Sequence, residues 1–216
     1  MKPFNIDIIM LSILLMCSCN TSSQDHKKIS TTQQAVKPDV RIYIQPFTDL
    51  PASYLTYVST ELQKTFKKVI INPRINLPMS SYYPARSRHR ADSLLSFLGR
   101  QTNDGCHTIG LTTKDISTTK GKNIDWGVMG LGNCPGKASV ASSFRLKADT
   151  PMKKMEKLYK VAIHELGHTE GLPHCLVETC FMRDAEGQDN TDQETGFCAA
   201  CKHKLIQAGW KLNEIN

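Results

Sequence analysis

The sequence predicts an α/β domain built on a mixed, mostly parallel five-stranded sheet. Three observations lead there. Five short runs rich in β-branched and aromatic residues are interleaved with stretches whose apolar residues recur at helical spacing, the pattern of a largely parallel, helix-covered sheet. The last two runs are joined by "NCPGKA", a link of hairpin length, so one of them runs antiparallel. With 216 residues the chain has room for one domain with a sizeable core, plus a leader and a linker.

Residues 1–19 read as a lipoprotein-type signal peptide. "IIMLSILLMCSC" (Ile8–Cys19) is apolar but shorter than the ~20 residues of a membrane span, and a small residue, Ser18, precedes Cys19. Lipidation is expected at Cys19, with Cys17 as the rival acceptor behind bulky Met16. The location this implies is export with a lipid anchor in a bacterial membrane, facing the periplasm or the surface. Secretion after cleavage is the alternative. Residues 20–38 are rich in Ser, Thr and Gln and too poor in apolar surface to offset chain entropy, so they read as a flexible tether. The folded domain is expected over residues 39–216.

Within it, "VRIYIQPF" (Val40–Phe47) reads as a strand. Leu55, Val58, Leu62 and Phe66 then fall on one helical face, with Asp49 as a candidate cap. "KKVIINP" is a second strand, and a helix follows over Ala91–Leu98, ended by Gly99. "CHTIGLTTKDI", "DWGVMGLGN" and "ASVASSFRL" supply three more strands. A longer helix starts at Asp149 or Thr150, with Pro151 in its first turn and Met152, Met155, Leu158, Tyr159, Ala162, Ile163 and Leu166 as its apolar stripe. An irregular cysteine-rich stretch leads to a last helix packed through Leu205, Ile206 and Trp210.

At 40% hydrophobic and 22% charged residues, the composition is that of a soluble globular protein. A net charge of +7 favours anionic partners, but the basic residues form no arm and no aromatic–basic motif, so nucleic acid is not an expected partner.

The long helix ends in "HELGHTEGLPHC" (His164–Cys175). His164 and His168, four apart, share a face, so both rings can reach one tetrahedral ion at ~2.0–2.1 Å. Glu165 is offset by one residue and points beside the ion, where it can hold a water. After His168 the helix must end for a third ligand to return. Gly171 permits the positive φ of that turn, Pro173 discourages further helix, and His174 closes a His₃ site with one position left for water. The alternative is surface histidines on an amphipathic helix. His26, His89, His107 and His203 stand alone and read as solvated or packed side chains.

H-E-x-x-H-x-x-G-x-x-H is the metzincin zinc signature. Its continuation resembles the archaemetzincins: Cys175 directly after His174, Cys180 and Met182 in "CFM", Cys198 and Cys201 in "CAAC". The resemblance spans roughly Val40 to the C-terminus and is strongest from His164 to Cys201. One departure is the loop of fifteen residues between Met182 and Cys198, about two shorter than that pattern, a tolerable deletion in a polar loop. The resemblance implies a zincin-like α+β fold with the active-site helix beneath the five-stranded sheet. It implies a zinc metallopeptidase that acts on peptide or protein substrates, and hints at an aminopeptidase. Met182 takes the Met-turn position under the metal. Gly130, Leu131 and Gly132 fall in an edge strand that would pair with substrate backbone, though a simple bulge is an equal reading of the glycines.

Cys175, Cys180, Cys198 and Cys201 have the C-x₄-C … C-x₂-C spacing of a structural Cys₄ zinc site, and the resemblance implies the same role; two disulfides are the alternative. If the sheet is metzincin-like, Cys106 and Cys134 lie at one end of it, where a disulfide or two free thiols can stand. Two zinc ions are therefore expected, one catalytic and one structural, in a monomer. In the mechanism implied, zinc lowers the pKa of its water toward ~7 while Glu165 takes the proton and passes it to the leaving amine. A zinc-dependent peptide binder that does not cleave, or a surface interaction domain with two structural metals, is the alternative. Glu165 weighs against both, since a binder needs no general base.

Overall fold

The computed structural model describes residues 40–185, 187–210 and 212. The expected leader with Cys17 and Cys19, and the expected tether, lie outside them.

β1 (Arg41–Pro46) buries Ile42 and Ile44, and α1 (Ala52–Thr65) returns across it with Val58 and Leu62 inward. β2 (Val69–Ile71) follows, then two short strands, β3 (Tyr82–Tyr83) and β4 (Arg88–Arg90), and α2 (Ala91–Gln101). β5 (Cys106–Thr112), β6 (Ile116–Lys120), β7 (Asn123–Val128), β8 (Gly130–Gly132) and β9 (Ala138–Ser142) lead to α3 (Pro151–Thr169) and, past the cysteine-rich stretch, to α4 (Ala199–Gln207).

The main sheet has five strands in the order β2-β1-β5-β9-β8. The first four are mutually parallel, and β8 runs antiparallel to β9 at the edge. The hairpin-length link thus reverses one strand, as expected. A second sheet, β3-β4-β6-β7, was not expected. It arises because two of the expected strands break. Asp49 is the cause of one break: its Oδ2 accepts from the Thr112 hydroxyl at 2.7 Å and from the Thr113 amide at 2.5 Å, which takes Thr113 out of the ladder. Asp49 therefore ends β5 and does not cap α1, whose N-cap is Pro51.

Side chains alternate across the main sheet. Ile109 and Leu111 of β5 face α1 and α3, in a core with Leu158, Ile163 and Leu166. Gly110 between them faces α2, where an added Cβ would stand 2.8 Å from Leu98. α2 runs past Gly99, which sits against Ala138 of β9, and the chain turns at Gly105 with φ +72°.

Thr150 caps α3, its hydroxyl accepting from the Lys153 amide at 3.2 Å. The expected stripe is buried except Met152, which is exposed. Fully burying a Leu or Ile is worth roughly 1.5–3 kcal/mol, so this stripe holds α3 to the sheet. Two lysines of α3 are also buried. Lys157 meets Asp189 and Asp192, each at 2.9 Å, and Lys160 donates to Thr191 O at 2.7 Å, which ties the 184–197 loop to the helix. On the last helix segment Leu205 and Trp210 are buried as expected, but Ile206 faces solvent.

Candidate metal centre and catalytic residues

α3 delivers His164 and His168 one turn apart. Gly171, with φ +78°, then donates its amide to His168 O at 2.8 Å and turns the chain back, so that His174 joins them. One ring nitrogen of each histidine lies within 4.8 Å of the others.

The second nitrogen of each ring is held. His164 Nδ1 meets Phe181 O at 2.7 Å, His168 Nδ1 meets Leu172 O at 2.7 Å, and His174 Nδ1 meets Asp184 Oδ2 at 3.0 Å. A carbonyl only accepts, so His164 and His168 carry their protons on Nδ1 and present bare Nε2 lone pairs. These two Nε2 atoms are 3.0 Å apart. Two lone pairs at that distance repel unless a cation lies between them. Burial pushes the His164 pKa down to about 3 and lowers that of His168, which keeps both rings neutral and able to ligate. The donor set therefore fits a metal of the imidazole-binding kind.

Glu165, only 7% exposed, lies beside them, and burial pushes its pKa up to about 8. β8 runs directly against it. A Cβ on Gly130 would stand 2.6 Å from Glu165 Cγ, and one on Gly132 would stand 2.5 Å from the Glu165 carbonyl oxygen. The glycines of β8 thus leave room for the close approach of α3, whose backbone stands over Gly132 and whose side chains stand over Gly130. Leu131 points to the opposite face, toward the α2 core. Met182 is wholly buried under α3, where a Cβ on Gly167 would stand 2.3 Å from its sulfur.

The sulfurs of Cys175, Cys180, Cys198 and Cys201 gather within 4.8 Å of one another, and all four are free thiols. Cys175 and Cys198 are 3.7 Å apart, far beyond a disulfide bond of ~2.05 Å. A tetrahedron with metal–sulfur bonds of ~2.3 Å has edges of about 3.8 Å. Backbone amides of Met182 and Cys198 both point at Cys180 Sγ, at 3.4 and 3.3 Å, as suits a thiolate.

Cys106 and Cys134 are also free, the first buried and the second exposed, and no bridge joins them. Cys106 opens β5, whereas Cys134 lies in the link beyond the end of β8, and β9 stands between those two strands. Cys134 Sγ instead meets Leu172 O at 3.6 Å. Of the lone histidines, His107 pairs with Glu170 at 2.6 Å, His89 with Ser81 at 2.7 Å, and His203 is exposed. Sequence reasoning missed Asp184. It sits two residues after Met182 with no motif spacing to mark it.

Residues 34–207 match the model of Peptidase family M54. The archaemetzincin of Archaeoglobus fulgidus is 30% identical over 168 residues, 77% of this chain and 99% of that protein. The chain belongs to the archaemetzincins, family M54. As an archaemetzincin it is a zinc metallopeptidase, a hydrolase of peptide substrates. The archaemetzincin of Methanopyrus kandleri is 33% identical over 139 residues, 64% of this chain and 77% of that protein. The crystal structure of the A. fulgidus archaemetzincin, complexed with malonate, superposes with a TM-score of 0.65 at 30% identity, covering 76% of this chain and 99% of that one. The M. kandleri structure also gives 0.65, at 25% identity, over 82% and 98%.

These relatives overturn one expectation. They are archaeal archaemetzincins, so a bacterial, exported, lipid-anchored location has no support among them. That reading rested on residues 1–19, which lie outside the family match at 34–207. Among the described residues no helix is long and apolar enough to cross a membrane.

Proposed function

We propose that this archaemetzincin hydrolyses peptide bonds with His164, His168 and His174 as ligands of a catalytic zinc and Glu165 as general base, and that a second, structural zinc sits on Cys175, Cys180, Cys198 and Cys201. The observation that carries this is the convergence of three imidazoles, each held through Nδ1, beside a buried glutamate at the open edge of the sheet.

Zinc held by those nitrogens supplies Lewis-acid chemistry, acidifying water and polarising a carbonyl. Glu165 moves the proton. Its Oε1 faces β8, where it can take a proton from water and return it to the leaving amine. Burial alone favours its protonated form, whereas a divalent cation alongside favours the carboxylate that a base must be. β8 positions substrate. Leu131 pairs with Val140, and Ser142 donates to Met129 O at 2.8 Å, so by ladder alternation Gly130 and Gly132 turn their backbone groups outward. An extended peptide can add there as a sixth strand, its scissile bond beside Glu165. Met182 shapes the floor of the site through α3 and takes no part in proton transfer.

Digestion of a diverse peptide library by the zinc-loaded chain, with and without a chelator, tests the reading. Peptides with free and acetylated N-termini sort an aminopeptidase from an endopeptidase. Chelator-sensitive cleavage is expected; a zinc-loaded chain that cleaves nothing is a binding protein.

A further inference from the structure

His164 and His168 are fixed by the main chain. Both project from α3, and both Nδ1 atoms meet backbone carbonyls. His174 has neither support. It stands in the loop after the helix with its side chain 46% exposed, and its Nδ1 meets a side chain, Asp184 Oδ2, at 3.0 Å. The register of two short segments brings them together. Cys175 donates its amide to Met182 O at 2.7 Å and bridges Arg183 in parallel fashion, so residues 174–175 and 182–184 run side by side. The 184–197 loop that begins at Asp184 is in turn held to α3 by Lys157 and Lys160.

We infer that Asp184 is a positioning residue for His174: its carboxylate accepts the Nδ1 proton, fixes the tautomer and ring angle, and aims Nε2 at the ion shared with His164 and His168. The inference rests on the reading of those histidines as a zinc site. A carboxylate behind a ligating imidazole raises its basicity and removes its rotational freedom, and losing such a partner costs typically 10–100-fold in metal affinity. An exposed ion pair of no consequence is the competing account, since such pairs contribute little. The two accounts differ in what the metal senses.

The experiment measures zinc affinity by chelator competition, and the cobalt spectrum, for wild type, Asp184→Ala and Asp184→Asn. Expected is a 10–100-fold weaker histidine site in Asp184→Ala, with most of the loss recovered in Asp184→Asn, which keeps an acceptor oxygen. The thiolate-to-cobalt bands of the Cys₄ site should not change. Asp184→Ala with wild-type affinity, Asn no better than Ala, or equal loss at both sites would each overturn the inference while leaving the zinc reading intact. Wild type that binds no metal at its histidines would overturn both.

Discussion

At the scale of single residues, the proposed mechanism separates metal retention from proton transfer. Glu165→Gln keeps all three imidazoles and loses the base, so hydrolysis should fall by roughly 10²–10⁴-fold with zinc content unchanged. His168→Ala should lose both, since two histidines hold the ion poorly. Zinc analysis beside peptide kinetics checks the pair; a fully active Gln variant rules out Glu165 as the base. The glycines of β8 make a sharper comparison. A methyl at Gly132 meets the backbone of α3, which cannot step aside, whereas a methyl at Gly130 meets the side chains of Glu165 and Val161. Gly132→Ala should therefore cost stability, about 1–3 kcal/mol of overpacking. Gly130→Ala should be better tolerated in the fold but should displace Glu165 and lower turnover. Denaturant melts and kcat on both variants decide it, and a stability order reversed between them would refute the packing argument.

At the scale of elements, the 184–197 loop is the piece whose stability should respond to pH. Burial pushes the Glu194 carboxyl from 4.5 up to about 7, even with Lys160 nearby to oppose it. Its folded-state pKa stands above the unfolded one, so the stability it contributes is fully present below about 4.5 and is lost as pH rises through about 7. Glu194→Gln stays neutral throughout. The variant should gain stability relative to wild type as pH is raised across that window, and comparing the two removes the pH dependence they share through histidines and thiols. A stability difference that stays flat with pH would mean Glu194 is not buried as described.

At the scale of the whole molecule, the cysteine-rich stretch is part of the main core. Cys180, Phe181, Met182, Cys201, Leu205 and Trp210 share one apolar cluster with Ile42, Ile109 and Leu158. Structural zinc binding is coupled to folding, so loss of the ion proposed for the four cysteines should be felt throughout. Cys198→Ser should release one zinc and lower the melting temperature of the entire domain in a single calorimetric transition. Two resolved transitions, with the sheet melting at its wild-type temperature, would show that the cysteine segment folds as an independent unit.

The main sheet, its reversed edge strand, the capped helix and the gathering of the His and Cys clusters were legible in the sequence, because each rests on local spacing. Four residues set the interval of His164 and His168, a positive φ sets Gly171, a short link sets β8 against β9, and cysteine spacing marks the second cluster. Tertiary contact decided the rest. The small second sheet depends in part on Asp49, more than sixty residues away in sequence, which captures Thr113 and splits one expected strand into β5 and β6. Gly130 and Gly132 are glycines because α3 lies against them, which no pattern within β8 records. Cys106 and Cys134 are both free, the second set against the Leu172 carbonyl beyond the end of α3. Asp184 meets His174 only through the pairing of two short segments across the helix end. Periodicity and spacing act within a few residues, whereas these contacts depend on which surfaces meet after the chain has closed on itself.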